Sequence, residues 1–428
     1  MTSPGQNCRP GDRLTGPRFL HWGRQIAYRR LTTNGHPYGG QDTVPQGKKR
    51  PPKCESGICM VGVFPPPVHG MAMVNAGMYE HLCSRGVVPL VLDLAPASLR
   101  RSWFNRLGRI RKVAKAFLRY LREILHGRGS TLYVGLSGGW GQLYEALFVA
   151  VARLRGVRIF LHHHSFAYLD RRQLPAWLLV RLAGPSATHI VLCETQGRRL
   201  KQCYPTASPT RVVSNAAIMC RAVGPKHRTR TCVKRIGFLG NISREKGIME
   251  ILAIADRLEG QGAGFEVYIA GPFENSTVAN AVRQATARLR TVKYLGPLYG
   301  PEKESFWELI DVLLFPSKYQ NESAPLVVYE AMANGIPVVA WDRGCLSDML
   351  PPNAGLLVRS DQDFAAVAVE QLLKWQSDPA GFAEMPEVAA KDFIRQREKY
   401  SDNLEALLDE LWPSPGCTDL TTDLANSC

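Results

Sequence analysis

No stretch of this 428-residue chain approaches the roughly eighteen consecutive apolar residues that a membrane-spanning helix needs. The first residues carry no compact apolar core of the secretory-leader kind, so cytoplasm is the default expectation. Cys-x-x-Cys is absent, and the eleven cysteines are scattered. Cys54 and Cys59 make one loose pair, without the second pair or the histidines of a zinc site. Reduced thiols are therefore the expectation. Acidic residues are scarce in two places. Residues 1–54 hold ten Lys or Arg against two Asp, and residues 99–128 hold ten against one Glu. These two segments account for the net charge of +16, and the rest of the chain is close to neutral. No aromatic-studded motif accompanies the charge, which argues against nucleic acid as the partner.

The length suits two domains better than one core. Residues 1–54 are rich in Gly, Pro and Arg without periodicity and read as a disordered basic tail. Order begins with the apolar run Ile58–Phe64, of the kind buried on both faces of a parallel sheet. Three prolines then break the run, His69-Gly70 leads into a helical pattern from Met71 to Arg85, and Val87–Leu92 reads as the next strand. Strands and helices alternate from there to Cys193. Residues 99–128 form a basic amphipathic helix, with Trp103, Leu107, Ile110, Ala114, Phe117, Leu121 and Ile124 as its apolar stripe. A polar basic stretch at 221–234 marks a boundary, and a second alternation runs from Arg235. The expected organisation is an N-terminal Rossmann-like domain over 55–228 and a second over 229–390. A helix at 391–412 follows, with a return to the first domain as one option, and then a loose tail over 413–428. The fold class is α/β with two doubly wound parallel sheets.

The strongest local signal is N-E-S-A-P-L-V-V-Y-E-A-M-A-N-G-I-P-V-V-A at 321–340. Glu322 falls in a loop after a strand. Ser323 has the chemistry of an N-cap, Pro325 suits a first turn, Gly335 stops the helix, and Pro337 opens a strand. Such a helix start at a sheet's carboxyl edge is where α/β folds hold anions. If both were helical, Glu322 and Glu330 would stand about 12 Å apart along the axis. That is too far for the ~5 Å carboxylate pair of a retaining glycosidase. Hydrogen bonds to ligand hydroxyls suit them better, with two surface glutamates as the plain alternative. A second signal, R-I-G-F-L-G-N-I-S-R-E-K-G at 235–247, runs a strand into Gly240. A loop with Arg244 and Lys246 follows, then Gly247 at a helix start. This is a phosphate-binding arrangement or a solvated turn. Three histidines end one strand. Alternation puts His162 and His164 on one face and His163 on the other. Neighbours on a strand do not converge on one ion, so a metal is not expected there.

Taken in order and spacing, six features of residues 235–358 resemble the donor-binding half of the retaining GT4 (group 1) glycosyltransferases, which have the GT-B fold. They are Gly240 to Gly247, A-G-P at 270–272, L-G-P at 295–297, D-V-L-L-F-P-S at 311–317, the Glu–seven–Glu pattern with E-A-M-A-N-G-I-P-V-V, and A-G-L-L-V at 354–358. The N-terminal half is similar more loosely, through F-P-P-P-V-H-G and L-H-H-H-S-F. The resemblance spans about 58–410. It implies transfer of a sugar from a nucleotide-sugar donor to a glycan or lipid-linked acceptor with retention, in surface polysaccharide biosynthesis. It also implies that Lys246 binds the donor diphosphate. The slot where the family usually has Arg is Asn241 here, with Arg244 nearby to substitute. Glu322 would bind the transferred sugar near the backbone of Ser323 and Ala324, and Glu330 the ribose. Gly240, Gly271 and Gly70 would line the donor site, and His164, before Ser165, would reach the sugar. No cofactor or metal is implied. The lone Asp-x-Asp, Asp361 to Asp363, reads as a helix cap. The basic helix at 99–128 suggests an anionic membrane surface as partner, at the inner face. A nucleotide-sugar epimerase or a catalytically silent binding protein on the same scaffold are the alternatives.

Overall fold

A computed structural model of the chain describes residues 56–66, 68–95, 103–219, 230 and 232–413. The basic tail over 1–54, residues 99–102, most of the 221–234 boundary stretch and the tail after 413 lie outside the described residues.

Among the described residues, twelve parallel strands form two six-stranded sheets. The first sheet holds β1 (Ile58–Gly62), β2 (Leu90–Asp93), β3 (Thr131–Leu136), β4 (Arg158–His163), β5 (Thr188–Val191) and β6 (Thr210–Val212), in the order β2-β1-β3-β4-β5-β6. The second holds β7 (Arg235–Leu239), β8 (Glu266–Ala270), β9 (Val292–Gly296), β10 (Val312–Phe315), β11 (Val338–Trp341) and β12 (Gly355–Val358), in the order β12-β11-β10-β7-β8-β9. Both are doubly wound. Their order reverses between β1 and β3 in one lobe and between β7 and β10 in the other. Such switch points open a crevice beyond the carboxyl ends of the strands.

The wholly apolar strands are explained by cover on both faces. In β1, Ile58 and Met60 point into one core cluster while Cys59 and Val61 point into another, as a period of two requires. The Ile58 face is closed by the long helix Met385–Leu411, whose Tyr400, Leu404, Leu407, Leu408 and Leu411 pack against it. Each fully buried leucine stabilises this docking by about 1.5–3 kcal/mol. The helix thus starts beside the second lobe and ends on the first. Its ion pairs with the first lobe, Arg85–Asp409 and Arg211–Glu410 at 2.7 Å each, are partly exposed and orient it more than they stabilise it. A further core cluster joins Phe166 and Tyr168 of the first lobe to Phe315 and Tyr329 of the second.

The basic helix is present as Trp103–Leu125, but its buried face differs from the stripe read in the sequence. Val113, Tyr120 and Ile124 are buried, with Phe117 partly so, whereas Ile110 and Ala114 face outward. The side chains of Trp103 and Leu107 lie outside the described residues. Two faces of this helix carry apolar residues, so periodicity alone did not say which would meet the sheet. The neighbouring helix Gln142–Leu154 decides it, since Phe148 meets the rings of Phe117 and Tyr120.

The expectation of reduced cysteines fails at one pair. Cys193, after β5, and Cys345, after β11, are joined as a disulfide, with Cα atoms 5.9 Å apart. They are separated by 152 residues in the sequence, so no local spacing announces them.

Candidate functional site

The two switch-point crevices hold most of the residues singled out in the sequence. On the second lobe, Gly240 follows β7 and Gly271 follows β8, and their loops touch. Gly271 has φ of 139°, and a Cβ there would lie 1.8 Å from the Gly240 carbonyl oxygen. The A-G-P turn is therefore a packing requirement between neighbouring loops. Gly247 has φ of 84°, and a Cβ on it would meet the Pro316 carbonyl oxygen at 2.2 Å. That glycine lets the turn carrying Lys246 lie against the end of β10. The helix Ile248–Gly260 starts directly after it. Arg244 is exposed on the same turn, and Asn241 follows Gly240 half-buried.

Lys246 and Glu322 come together. The Lys246 ammonium is ion-paired with the Glu322 carboxylate, which also accepts from Ser317 Oγ at 2.9 Å. The ammonium lies 5.0 Å from the centre of the Tyr319 ring. Glu330 pairs with Lys303 at 2.5 Å. Lys303 belongs to the helix Pro301–Leu309 and was passed over in the sequence, where it stands among acidic residues without a motif. Ser323 is not the N-cap. The helix is Leu326–Ala333 and its cap position is Pro325, with φ of −67° and ψ of 124°. Pro325 is extended, so the chain enters the helix two residues later than Ser323. The Ser323 hydroxyl instead accepts from Gln196 Nε2 of the first lobe at 2.9 Å. Ala324 is buried, and its carbonyl accepts from Asn215 Nδ2 of the first lobe at 2.7 Å.

On the first lobe, β1 ends in the loop to His69, which caps the helix Gly70–Ser84 through Ala72 N–H. A Cβ on Gly70 would meet no protein atom within 4 Å, so open space lies above it. Burial, and then the charge of Lys246, lowers the pKa of His69. Lys246 thus acts electrostatically on His69. The histidine triplet alternates as read. His162 and His164 have ring centres 4.1 Å apart, while His163 turns to Tyr168 at 3.0 Å and His189 at 2.9 Å. Burial, and then the neighbouring His69, lowers the pKa of His164 to about 3, so the ring is neutral near pH 7. Its Nε2 is buried with no protein partner.

The other side of this switch point is the loop from Ser137 to Gly141, after β3. Glu145, buried in the helix that follows, accepts from Ser137 N–H at 3.0 Å. Burial raises its pKa to about 7. A Cβ on Gly138 would lie 1.9 Å from Asn321 Oδ1, so glycine allows the second lobe to approach here. Asn321 Oδ1 accepts from Ser165 Oγ at 2.8 Å. His69, Gly138, Asn321 and Glu145 were not singled out in the sequence. The His-Gly at a helix start was the one local sign of any of them. Asp363 caps the helix Phe364–Ser377 through Ala365 N–H at 2.9 Å, and Asp361 pairs with Arg359 at 2.9 Å.

The chain resembles known proteins in the sequence of its second lobe and in its fold. Residues 233–374 match the family model described as "Glycosyl transferases group 1". A sulfoquinovosyl transferase of Arabidopsis thaliana is 24% identical over 283 residues, covering 62% of this chain and 48% of that protein. A D-inositol 3-phosphate glycosyltransferase of Corynebacterium urealyticum is 32% identical over 168 residues, covering 37% of this chain and 39% of that protein. The chain thus spans about half the length of these curated relatives, or less. Among solved structures, the Anabaena protein HepE in complex with UDP superposes with a TM-score of 0.59 at 15% identity. It covers 82% of this chain and 99% of that one, a likeness of fold. The described lobes have the GT-B fold, and residues 233–374 of the second lobe are similar to group 1 glycosyl transferases.

Proposed function

We propose that this chain is a retaining glycosyltransferase of the GT4 kind, moving a sugar from a nucleotide diphosphate donor to a hydroxyl of a glycan or lipid-linked acceptor, in surface polysaccharide biosynthesis. The observation that carries the reading is the Lys246–Glu322 ion pair in the loop after β10, tied to the segment after His164 by the Ser165 Oγ to Asn321 Oδ1 hydrogen bond at 2.8 Å.

In the donor complex, the Lys246 ammonium exchanges its carboxylate partner for diphosphate oxygens. Glu322 is then free to accept from sugar hydroxyls. Arg244, exposed beside it, supplies the second cation in place of the usual arginine at Asn241. Backbone N–H groups at Ser323 and Ala324 add donors near the phosphate. Glu330 takes the ribose hydroxyls, with Lys303 holding its carboxylate in place. Neutral His164 serves as a hydrogen-bond partner for the sugar. The leaving diphosphate assists deprotonation of the acceptor on the same face, and lobe closure excludes water. Gly240, Gly271 and Gly70 leave the backbone close to the donor. No metal or cofactor enters the reaction. The acceptor enters on the first-lobe side, beside the loop Ser137–Gly141, where Trp140 is 74% exposed. The basic helix Trp103–Leu125 rests on an anionic membrane surface. Among the described residues no helix is long and apolar enough to cross one.

The test is release of nucleotide diphosphate from a panel of UDP-, GDP- and ADP-sugars, with and without lipid extract. Glu322→Ala and Lys246→Ala are expected to lower transfer by roughly a hundredfold or more while the protein stays folded. Unchanged turnover in either variant removes the proposal.

A further inference from the structure

The seam between the lobes contains three links that meet beside Ser323. Cys193, at the start of the helix Glu194–Cys203, is bonded to Cys345 of the second lobe, and both are buried. Two residues on, Thr195 donates through its N–H and its hydroxyl to the two Asp348 carboxylate oxygens, at 2.8 and 3.0 Å. Gln196 is fully buried. Its Oε1 accepts from Leu192 N–H at 2.6 Å, and its Nε2 donates to the His163 carbonyl at 3.2 Å and to Ser323 Oγ at 2.9 Å. On the opposite side, Cys345 N–H donates to the Ser323 carbonyl at 3.0 Å. The residue before Ser323 is Glu322, so the bridge and the donor loop are one hydrogen-bonded assembly. The four other described cysteines, Cys59, Cys83, Cys203 and Cys232, are free thiols, so the pairing is selective for this seam.

We propose that Cys193 and Cys345 are a thiol–disulfide exchange site that latches the two lobes. Oxidation fixes the separation at the seam and holds the Ser323 loop. Reduction releases it and lets the lobes part between turnovers. The co-reactant is a small-molecule disulfide. One cysteine thiolate attacks its S–S bond, forming a mixed disulfide and expelling one thiolate. The second cysteine thiolate then attacks the mixed disulfide, closing the Cys193–Cys345 bond and expelling the other. The two cysteines lose two electrons and two protons, and the small disulfide becomes two thiols. Reduction is the reverse. Both sulfurs are buried, so each direction waits on opening of the seam. The effect on turnover rests on the reading of Glu322 and Ser323 as donor contacts, whereas the latch itself does not.

The experiment equilibrates the full chain in glutathione buffers of graded thiol-to-disulfide ratio and quenches with N-ethylmaleimide. Peptide mass spectrometry then measures the 193–345 cross-link, and amide hydrogen exchange is read over 321–324 and 345–349. The cross-linked fraction is expected to fall across the series. Exchange at the seam is expected to be roughly tenfold slower in the oxidised form, because local opening controls it. The wild-type chain supplies both states, so no substitution need fold. Cys193→Ser with Cys345→Ser is expected to show the fast exchange in every buffer. Alkylation of both cysteines at every ratio overturns the proposal, as does a cross-link that leaves seam exchange unchanged. A latch that works in a chain transferring no sugar supports this inference and removes the transferase reading alone.

Discussion

Single residues at the crevices carry constraints that polar chemistry alone does not reveal. Gly271→Ala places a Cβ within 1.8 Å of backbone that cannot step aside, at a φ that side chains avoid. The expected cost is about 2–4 kcal/mol, read as a lower urea midpoint. Glu145 gives a pH signature. Its folded pKa of about 7 is raised by burial above the value of 4.5 usual for the exposed chain. Between those values the folded state holds the proton and the unfolded state does not. The stability this group confers is therefore complete below pH 4.5 and lost as pH rises through 7. The buried His164 runs the other way. Its contribution is complete above pH 6.5 and lost as pH falls toward 3. Glu145→Gln should thus gain roughly 2–3 kcal/mol relative to wild type between pH 5 and pH 8, measured by urea unfolding at each pH. An equal difference at both pH values would refute the assignment.

At the scale of the element, the basic helix Trp103–Leu125 divides its cations between two tasks. Lys112 is folded onto Asp93 at 2.6 Å and the Ala95 carbonyl at 2.9 Å, and Arg109 lies 5.4 Å from the centre of the Tyr144 ring. Those two belong to the lobe. Arg111, Lys115, Arg119 and Arg122 are exposed, next to exposed Leu118 and Leu125. A cationic surface with outward leucines suits an anionic bilayer, at about 1 kcal/mol per basic residue near the surface. Replacing the four with Gln is expected to weaken binding to phosphatidylserine vesicles by two to three orders of magnitude at low salt, by that same scale. Binding to zwitterionic vesicles should be weak before and after. Equal sedimentation of wild type and variant with anionic vesicles would refute the membrane role.

Across the whole molecule, the helix Met385–Leu411 and the core cluster around Phe166, Phe315 and Tyr329 make the lobes interdependent. Leu404 and Leu407 are buried against the first lobe, and each leucine-to-alanine change in such a core costs about 2–5 kcal/mol. Replacing both with Ala should therefore loosen the first lobe before the second. Calorimetry is expected to resolve two transitions, with the lower one shifted and the upper one near its wild-type position. A single transition moved as a whole would mean that the lobes unfold as one unit whatever this helix does.

The alternation of apolar strands with helical patterns was determined by sequence alone, because period and punctuation are local properties. So were the glycines that end strands and the positions of Lys246, Glu322 and Glu330. The alternate facing of His162 and His163 also followed from strand geometry. Which face of the basic helix would be buried was decided by tertiary packing, because the neighbouring Phe148 supplies the partner rings. The fate of Ser323 was decided the same way, since Gln196 comes from the other lobe. Gly138 beneath Asn321 and Cys193 bonded to Cys345 both join residues more than 150 apart in the chain. Local spacing carries no record of such pairs, which exist where two sheets present their carboxyl ends to one cleft.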